Sequence, residues 1–345
     1  MRRIPAIAGV LTAEQVVATG AAIVGMQEDS GALPWFPGGK TDPWDHIESA
    51  MALTVTGFHA EAEAAYDWSR RHQRPDGSWP ITTVCGEVTD PGIDSNFCAY
   101  IAVGVWHHHV ITGDDAFLER MWPTVWSAIN LVCKFQRPDG AFRWGGDHRT
   151  HAMFDEALLT GNASIYQSLD AAIRIAAAVG QPDAEWVAAF DKLGDAFRNR
   201  IDVFEDPSEH SMDWYYPVLG GAIRGQAGQE LIARRWEEFV VDGQGCRCVD
   251  HRPWVTGAET SELALALDAL GDTGDAIELI ASIQHLRDPD GSYWTGLVYA
   301  DGKRWPVEKS CWTSAAVVLA ADAVSRCSAA NGIFRDVGDR LPARR

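Results

Sequence analysis

One short phrase is written into this chain repeatedly. Gln73-Arg74-Pro75-Asp76-Gly77-Ser78-Trp79 recurs as Gln136-Arg137-Pro138-Asp139-Gly140-Ala141-Phe142, with Trp144 just behind it. It returns as Arg287-Asp288-Pro289-Asp290-Gly291-Ser292-Tyr293-Trp294, and a looser form, Gln27-Glu28-Asp29-Ser30-Gly31 followed by Trp35, stands near the N-terminus. Each copy closes a helix-like run and opens a turn, because Pro fixes one φ and Gly permits the other that a reversal needs. A turn repeated this faithfully implies an architecture built by repetition.

Between the turns the apolar spacing is helical, with Ala-rich runs at 171–178 and 315–323, and few stretches alternate as strands do. The spacing predicts an all-α chain of twelve helices. The first four lie near 12–26, 44–56, 60–72 and 94–111, and the fifth ends near 135. The sixth covers 155–179, the seventh ends near 200, the eighth starts at 213 and the ninth ends near 240. The tenth starts near 258, the eleventh ends near 286 and the twelfth starts near 308. Long and short connections alternate, which pairs the helices into six antiparallel hairpins. Closed into a ring, an (α/α)6 toroid, they would gather every long loop on one face, where binding and catalysis usually sit. The toroid is expected to be a single domain over 1–327. A polar C-terminal extension, 328–345, ending Leu341-Pro342-Ala343-Arg344-Arg345, is expected to be poorly ordered.

Net charge narrows the partners. The 345 residues carry 48 acidic against 29 basic side chains, a formal charge of −19. Such a surface repels phosphate backbones and anionic lipid, which argues against nucleic-acid and membrane partners. No apolar run approaches the roughly 18 residues of a membrane helix. Seven cysteines, an odd number, lie scattered apart from Cys246-Arg247-Cys248, which argues against a disulfide framework and for a cytoplasmic protein. No metal or other cofactor is expected: the Cys-x-Cys pair lacks zinc partners, and His107-His108-His109, inside a helix, point in different directions.

The six helices that follow long loops all begin with carboxylates: Asp45 and Glu48, Asp94, Asp155 and Glu156, Asp213, Glu259 and Glu262, and Glu308. Any one of them can be explained as a cap that complements the helix dipole. The set is accompanied by tryptophans, including Trp35, Trp44, Trp79, Trp254, Trp305 and Trp312. Some of these belong to the core, while those in loops beside carboxylates suit the flat faces and hydroxyl rims of sugar rings. Paired acids are what glycoside hydrolysis needs, one to protonate the leaving oxygen and one to activate water.

Two resemblances follow from these stretches. The repeated turn resembles the glutamine–tryptophan repeats of squalene–hopene cyclases and prenyltransferase β-subunits, which are also α-toroids. Of the cyclases' Asp-x-Asp-Asp motif, however, Gly92-Ile93-Asp94-Ser95-Asn96 keeps one carboxylate. The run from Asp94 to Asp114 is similar to the hairpin pattern of six-hairpin glycosidases of the glucoamylase type. In that family the general acid stands between helices 5 and 6, where this chain has Phe154-Asp155-Glu156 followed by Thr160-Gly161-Asn162-Ala163. The family's general base precedes the twelfth helix, where this chain has Glu308-Lys309-Ser310-Cys311-Trp312-Thr313-Ser314-Ala315.

The second resemblance implies an inverting glycoside hydrolase acting on an oligosaccharide or a glycosylated metabolite. It casts Glu156 or Asp155 as acid and Glu308 as base. Trp35, Trp44, Asp45, Glu48, Trp79, Asp94, Asp213, Trp254, Glu259, Trp305 and Trp312 are then expected to bind substrate. The first implies an isoprenoid cyclase with one isolated acid in a dry aromatic cavity. A sugar epimerase would need a proton-shuttling pair among His46, His148, His151 and His251, and a glycan-binding toroid would need no catalysis.

Overall fold

The computed structural model describes residues 3–339. Its helices are α1 (Ala13–Val24), α2 (Pro43–Thr56), α3 (His59–His72), α4 (Ser95–Ala99), α5 (Ile101–Thr112), α6 (Asp115–Cys133) and α7 (Leu159–Ala178). They continue with α8 (Ala184–Asn199), α9 (Met212–Leu219), α10 (Gly225–Phe239), α11 (Gly257–Leu270), α12 (Thr273–Ser282) and α13 (Cys311–Ser325). The fourth expected helix is divided at Tyr100 into α4 and α5. Two boundaries also move inward: α7 starts at Leu159 rather than 155, and α13 at Cys311 rather than 308, behind the Ser310 cap.

Contacts close a ring. α2 packs on α5, α5 on α7, α7 on α9, α9 on α11, α11 on α13 and α13 back on α2. The alternate helices α1, α3, α6, α8, α10 and α12 stand outside them. Sequence explains the two layers. Every residue of α2 is buried, as is α11 from Gly257 to Asp268, so these helices carry small or apolar residues on every side, interrupted by the buried acids and histidine of the site and its surroundings. The outer helices are amphipathic: α8 buries Trp186, Ala189, Leu193, Gly194, Ala196 and Phe197 along one stripe. The expected (α/α)6 toroid is therefore what the chain forms. Among the described residues no helix is long and apolar enough to cross a membrane.

The repeated phrase is a clasp between successive outer helices. Gln73 donates from Nε2 to the Thr124 carbonyl of α6, and Gln136 does the same to Ala189 of α8. Gln27 reaches Glu61 of α3, and Arg287 reaches Gln15 of α1 at 3.5 Å, which joins the last hairpin to the first. Gly77, at φ 97°, lies so close to α6 that a Cβ would stand 2.4 Å from the Ser127 carbonyl oxygen. Gly31, Gly140 and Gly291 dock on Ala64, Lys192 and Ala18 in the same way. Gly77→Ala should thus lose about 1–3 kcal/mol through the left-handed φ and the backbone collision. Chemical denaturation checks this; an unchanged midpoint would remove the clasp from the account.

The long loops add short strands: β1 (Lys40–Thr41), β2 (Thr82–Val84), β3 (Glu87–Asp90), β4 (Ile93–Asp94) and β5 (Gly145–Gly146). Further along are β6 (Val240–Val241), β7 (Gly245–Arg247), β8 (Trp254–Thr256), β9 (Gly296–Val298) and β10 (Lys303–Arg304). They pair antiparallel as β1-β2-β3, β4-β5 and β10-β9-β8-β7-β6, stiffening the long-loop face.

The C-terminal segment departs from expectation. Through Asp339 it lies against the short-loop side of the ring. Buried Asp268 receives Arg326 and Arg335, each at 2.8 Å. Arg224 donates to the Phe334 carbonyl, and Gln167 to that of Ile333. Polar composition misled because these side chains satisfy buried ring acids and segment carbonyls rather than water. The stretch 340–345 lies outside the described residues.

Candidate active site

A cavity of about 580 Å³ opens on the long-loop face. Its aromatic wall consists of Trp35, Trp44, Phe97, Trp144 and Trp312, and its inner carboxylates are Asp42, Asp45, Asp94 and Asp213. Of the expected residues, the structure gathers Trp35, Trp44, Asp45, Asp94, Asp213 and Trp312 here. Thr160, from the stretch similar to the glycosidases, joins them, as do Lys40, Asp42, Ser208, His210 and Met212, for which no role was expected. Asp42-Pro43 was a usable signal, since an N-cap Asp followed by Pro at the first helical position marks a helix start.

The first turn of α2 builds one side. Asp42 accepts the Asp45 backbone N–H at 2.9 Å and pairs with Lys40 at 3.0 Å. Burial holds Asp45 well above the usual carboxylate range, and the neighbouring Asp42 charge adds to the shift. Both effects favour the protonated form of Asp45. Next around the ring, Asp94 caps α4 through Oδ1 to the N–H groups of Asn96 and Phe97, yet burial pushes it up to about 7.

Asp213, in the first turn of α9, is dressed differently. Its Oδ1 accepts the Thr160 hydroxyl, and its Oδ2 accepts the Ser208 N–H at 2.9 Å and hydroxyl at 2.5 Å. These donors fix the direction of the carboxyl group. In ring order α9 stands opposite α2, three places away either way. Neighbouring helix axes ~8–10 Å apart place opposite axes ~16–20 Å apart. Two aspartates reaching inward then leave a gap on the order of the ~6.5–9.5 Å of an inverting pair.

Beneath the cavity lies a second acidic layer. Glu48 accepts the indole N–H of Trp44 at 2.9 Å and of Trp312 at 3.2 Å, which fixes two walls. Glu262 of α11 accepts the hydroxyls of Tyr215 and Tyr216 at 2.5 and 2.8 Å. Burial raises Glu48 to about 7 and Glu262 well above its usual range. Trp44 stacks on Tyr100 with centroids 4.8 Å apart.

Other expected residues stand elsewhere. Asp155 and Glu156 are exposed on the lip, where Asp155 pairs with Arg143 and the Glu156 carbonyl accepts the Trp144 N–H. They precede α7 instead of opening it, so no helix aims them inward. Glu308 is half-buried and accepts the Trp35 indole N–H at 2.7 Å, behind the wall. Trp79 is core, donating to the Ser69 carbonyl. Glu259 is buried beside the Cys248 thiol. Trp254 and Trp305 belong to a separate surface groove.

The histidines do not make a proton shuttle. Buried His46 is bonded to Leu33 and Ala65 and driven down to about 4 by burial, and the deep His107 and His108 to about 3. His148, His151 and His251 do not line the cavity. A cavity ringed by carboxylates also differs from the dry, single-acid pocket that the isoprenoid reading requires.

No family model matches the chain. In fold it is similar to a glycosidase solved with glucose, with a TM-score of 0.72 at 16% identity over 91% of this chain and 97% of that one. It is also similar to a D-mannose isomerase, with a TM-score of 0.69 at 11% identity over 91% and 96%. In sequence it is 57% identical to the MMP endo-(1,4)-3-O-methyl-alpha-D-mannosidase of Mycolicibacterium hassiacum, over 97% of this chain and 92% of that protein. Identity at that level over nearly the whole of both chains places this protein in the family of that mannosidase, and it is a glycoside hydrolase.

Proposed function

We propose that the protein is an endo-acting, inverting α-mannosidase that cuts (1,4) linkages within a 3-O-methylated mannose polymer. The observation that carries the substrate class is the 57% identity to an enzyme named for that bond. The cavity supports it: Trp35, Trp144, Leu158 and Met212 offer apolar surface for methyl ethers, and the inner aspartates offer partners for the remaining hydroxyls.

In this mechanism Asp45 is the general acid. It donates its proton to the glycosidic oxygen as the bond to C1 lengthens, and the Lys40 charge steadies the carboxylate left behind. Asp213, aligned by Thr160 and Ser208, takes a proton from a water that attacks C1 from the opposite face. Trp44 and Trp312, pinned by Glu48, hold the sugar in place. Asp94 lies within the lining to bond a hydroxyl. The seven free cysteines support a reducing, cytoplasmic setting for the reaction.

The test is digestion of an α-(1,4)-linked 3-O-methylmannan followed by product sizing and early-time NMR. Oligosaccharides released first as the β-anomer are expected. Release of single sugars alone would overturn the endo reading, and α-anomers would overturn inversion.

A further inference from the structure

We propose that a groove outside the cavity is a second binding site, which holds a distal stretch of the same mannose polymer during cleavage. The inference rests on the substrate class proposed above. The groove encloses about 550 Å³ and is floored by Trp254, Trp305, Val249 and Val298, with His251 and Arg252 beside them. The two indoles meet edge to face, 4.6 Å between centroids and 84° between planes, and Trp254 donates its N–H to the Trp305 carbonyl at 2.6 Å. Trp305 is 53% exposed, and the Val307 beside it is 80% exposed.

One shared wall ties the groove to the cavity. Along a single loop segment, Ser208 and His210 line the cavity while the intervening Glu209 lines the groove. His210 bridges Val249, which also lines the groove. A polymer cut internally must continue past the cavity, and this wall is the short way across. The groove's chemistry fits that occupant. A fixed indole corner accepts the apolar face of a sugar, the valines accept methyl ethers, and Arg252, His251 and Glu209 reach hydroxyls. A neutral glycan also meets no repulsion from a chain of net charge −19.

The experiment compares wild type, Trp305→Ala and Trp305→Phe on a long 3-O-methylmannan and on a trisaccharide of the same linkage. For the long chain, Trp305→Ala should raise KM about three- to tenfold with kcat unchanged, the loss of one stacked ring. Trp305→Phe should recover much of that loss, and trisaccharide kinetics should not change. Equal KM for both lengths in every variant would overturn the groove site. So would wild-type self-association abolished by Trp305→Ala in sedimentation, which would give the groove to a second copy. If wild type cleaves neither substrate, the substrate reading has failed instead. Binding of a panel of other long glycans to the same variants then tests the groove alone: a Trp305-dependent preference for length sustains it, and its absence overturns it.

Discussion

Asp45→Asn and Asp213→Asn should each lower kcat on the polymer by about 10²–10⁴-fold, the range of a positioned acid or base. KM should change little, because both amides keep the size and most hydrogen bonds of the carboxyls they replace. Glu156→Gln should stay within a few-fold of wild type, since that side chain faces solvent on the lip. The opposite pattern, with Glu156→Gln inactive and Asp45→Asn active, would move the acid to a lip that closes over substrate. The pH profile adds a signed test. The Asp42 charge raises Asp45, and the Lys40 charge lowers it. Asp42→Asn, which preserves the helix cap, should therefore move the alkaline limb of kcat to lower pH. Lys40→Met should move it to higher pH. Limbs that do not move in these two variants would remove Asp45 from the titrating role.

The ring was legible because the residues that specify it act locally. Gln73, Gln136 and Gln27 each bond one carbonyl on the next outer helix, and the glycines four residues on dock against the same helix. A repeated local job leaves a repeated phrase. The site was legible only where a helix start fixes a direction: Asp45 and Asp213 sit in first turns and Asp94 is a cap, and all three reach the cavity. Where the helix start shifted, the inference slipped with it. Glu156 lies on the lip because α7 begins at Leu159, and Glu308 lies behind Trp35 because α13 begins at Cys311. Trp79 belongs to the clasp, so its ring serves the packing between helices and not the mouth. Composition alone could not separate these tryptophans from Trp44, whose place is set by Glu48 one turn further along α2.

The folded protein should lose stability as pH rises from about 6.5 to about 8. In that window the histidines of the unfolded chain, with a value of about 6.5, pass from half protonated to neutral. Buried His46, His107 and His108 are neutral in the folded state throughout, so they offset part of the slope at the acid edge and almost none of it near pH 8. The buried carboxyls do contribute. Burial favours the protonated forms of Asp45 and Glu262 in the fold while both are ionised in the unfolded chain, and Glu48 and Asp94 titrate near 7. The native state therefore binds more protons than the unfolded state, and the linkage slope is negative. Each carboxyl that stays protonated across the window contributes a loss of about 2 kcal/mol. At lower pH the same three histidines oppose these acids, since they gain protons only on unfolding, and the slope flattens. Glu262→Gln should accordingly reduce the alkaline slope, because the amide oxygen still accepts a tyrosine hydroxyl and nothing titrates. Urea midpoints of wild type and Glu262→Gln across the window decide it. A wild-type midpoint that holds steady or climbs toward pH 8 would mean that the acids beneath the cavity are ionised, and that the cavity floor is wet.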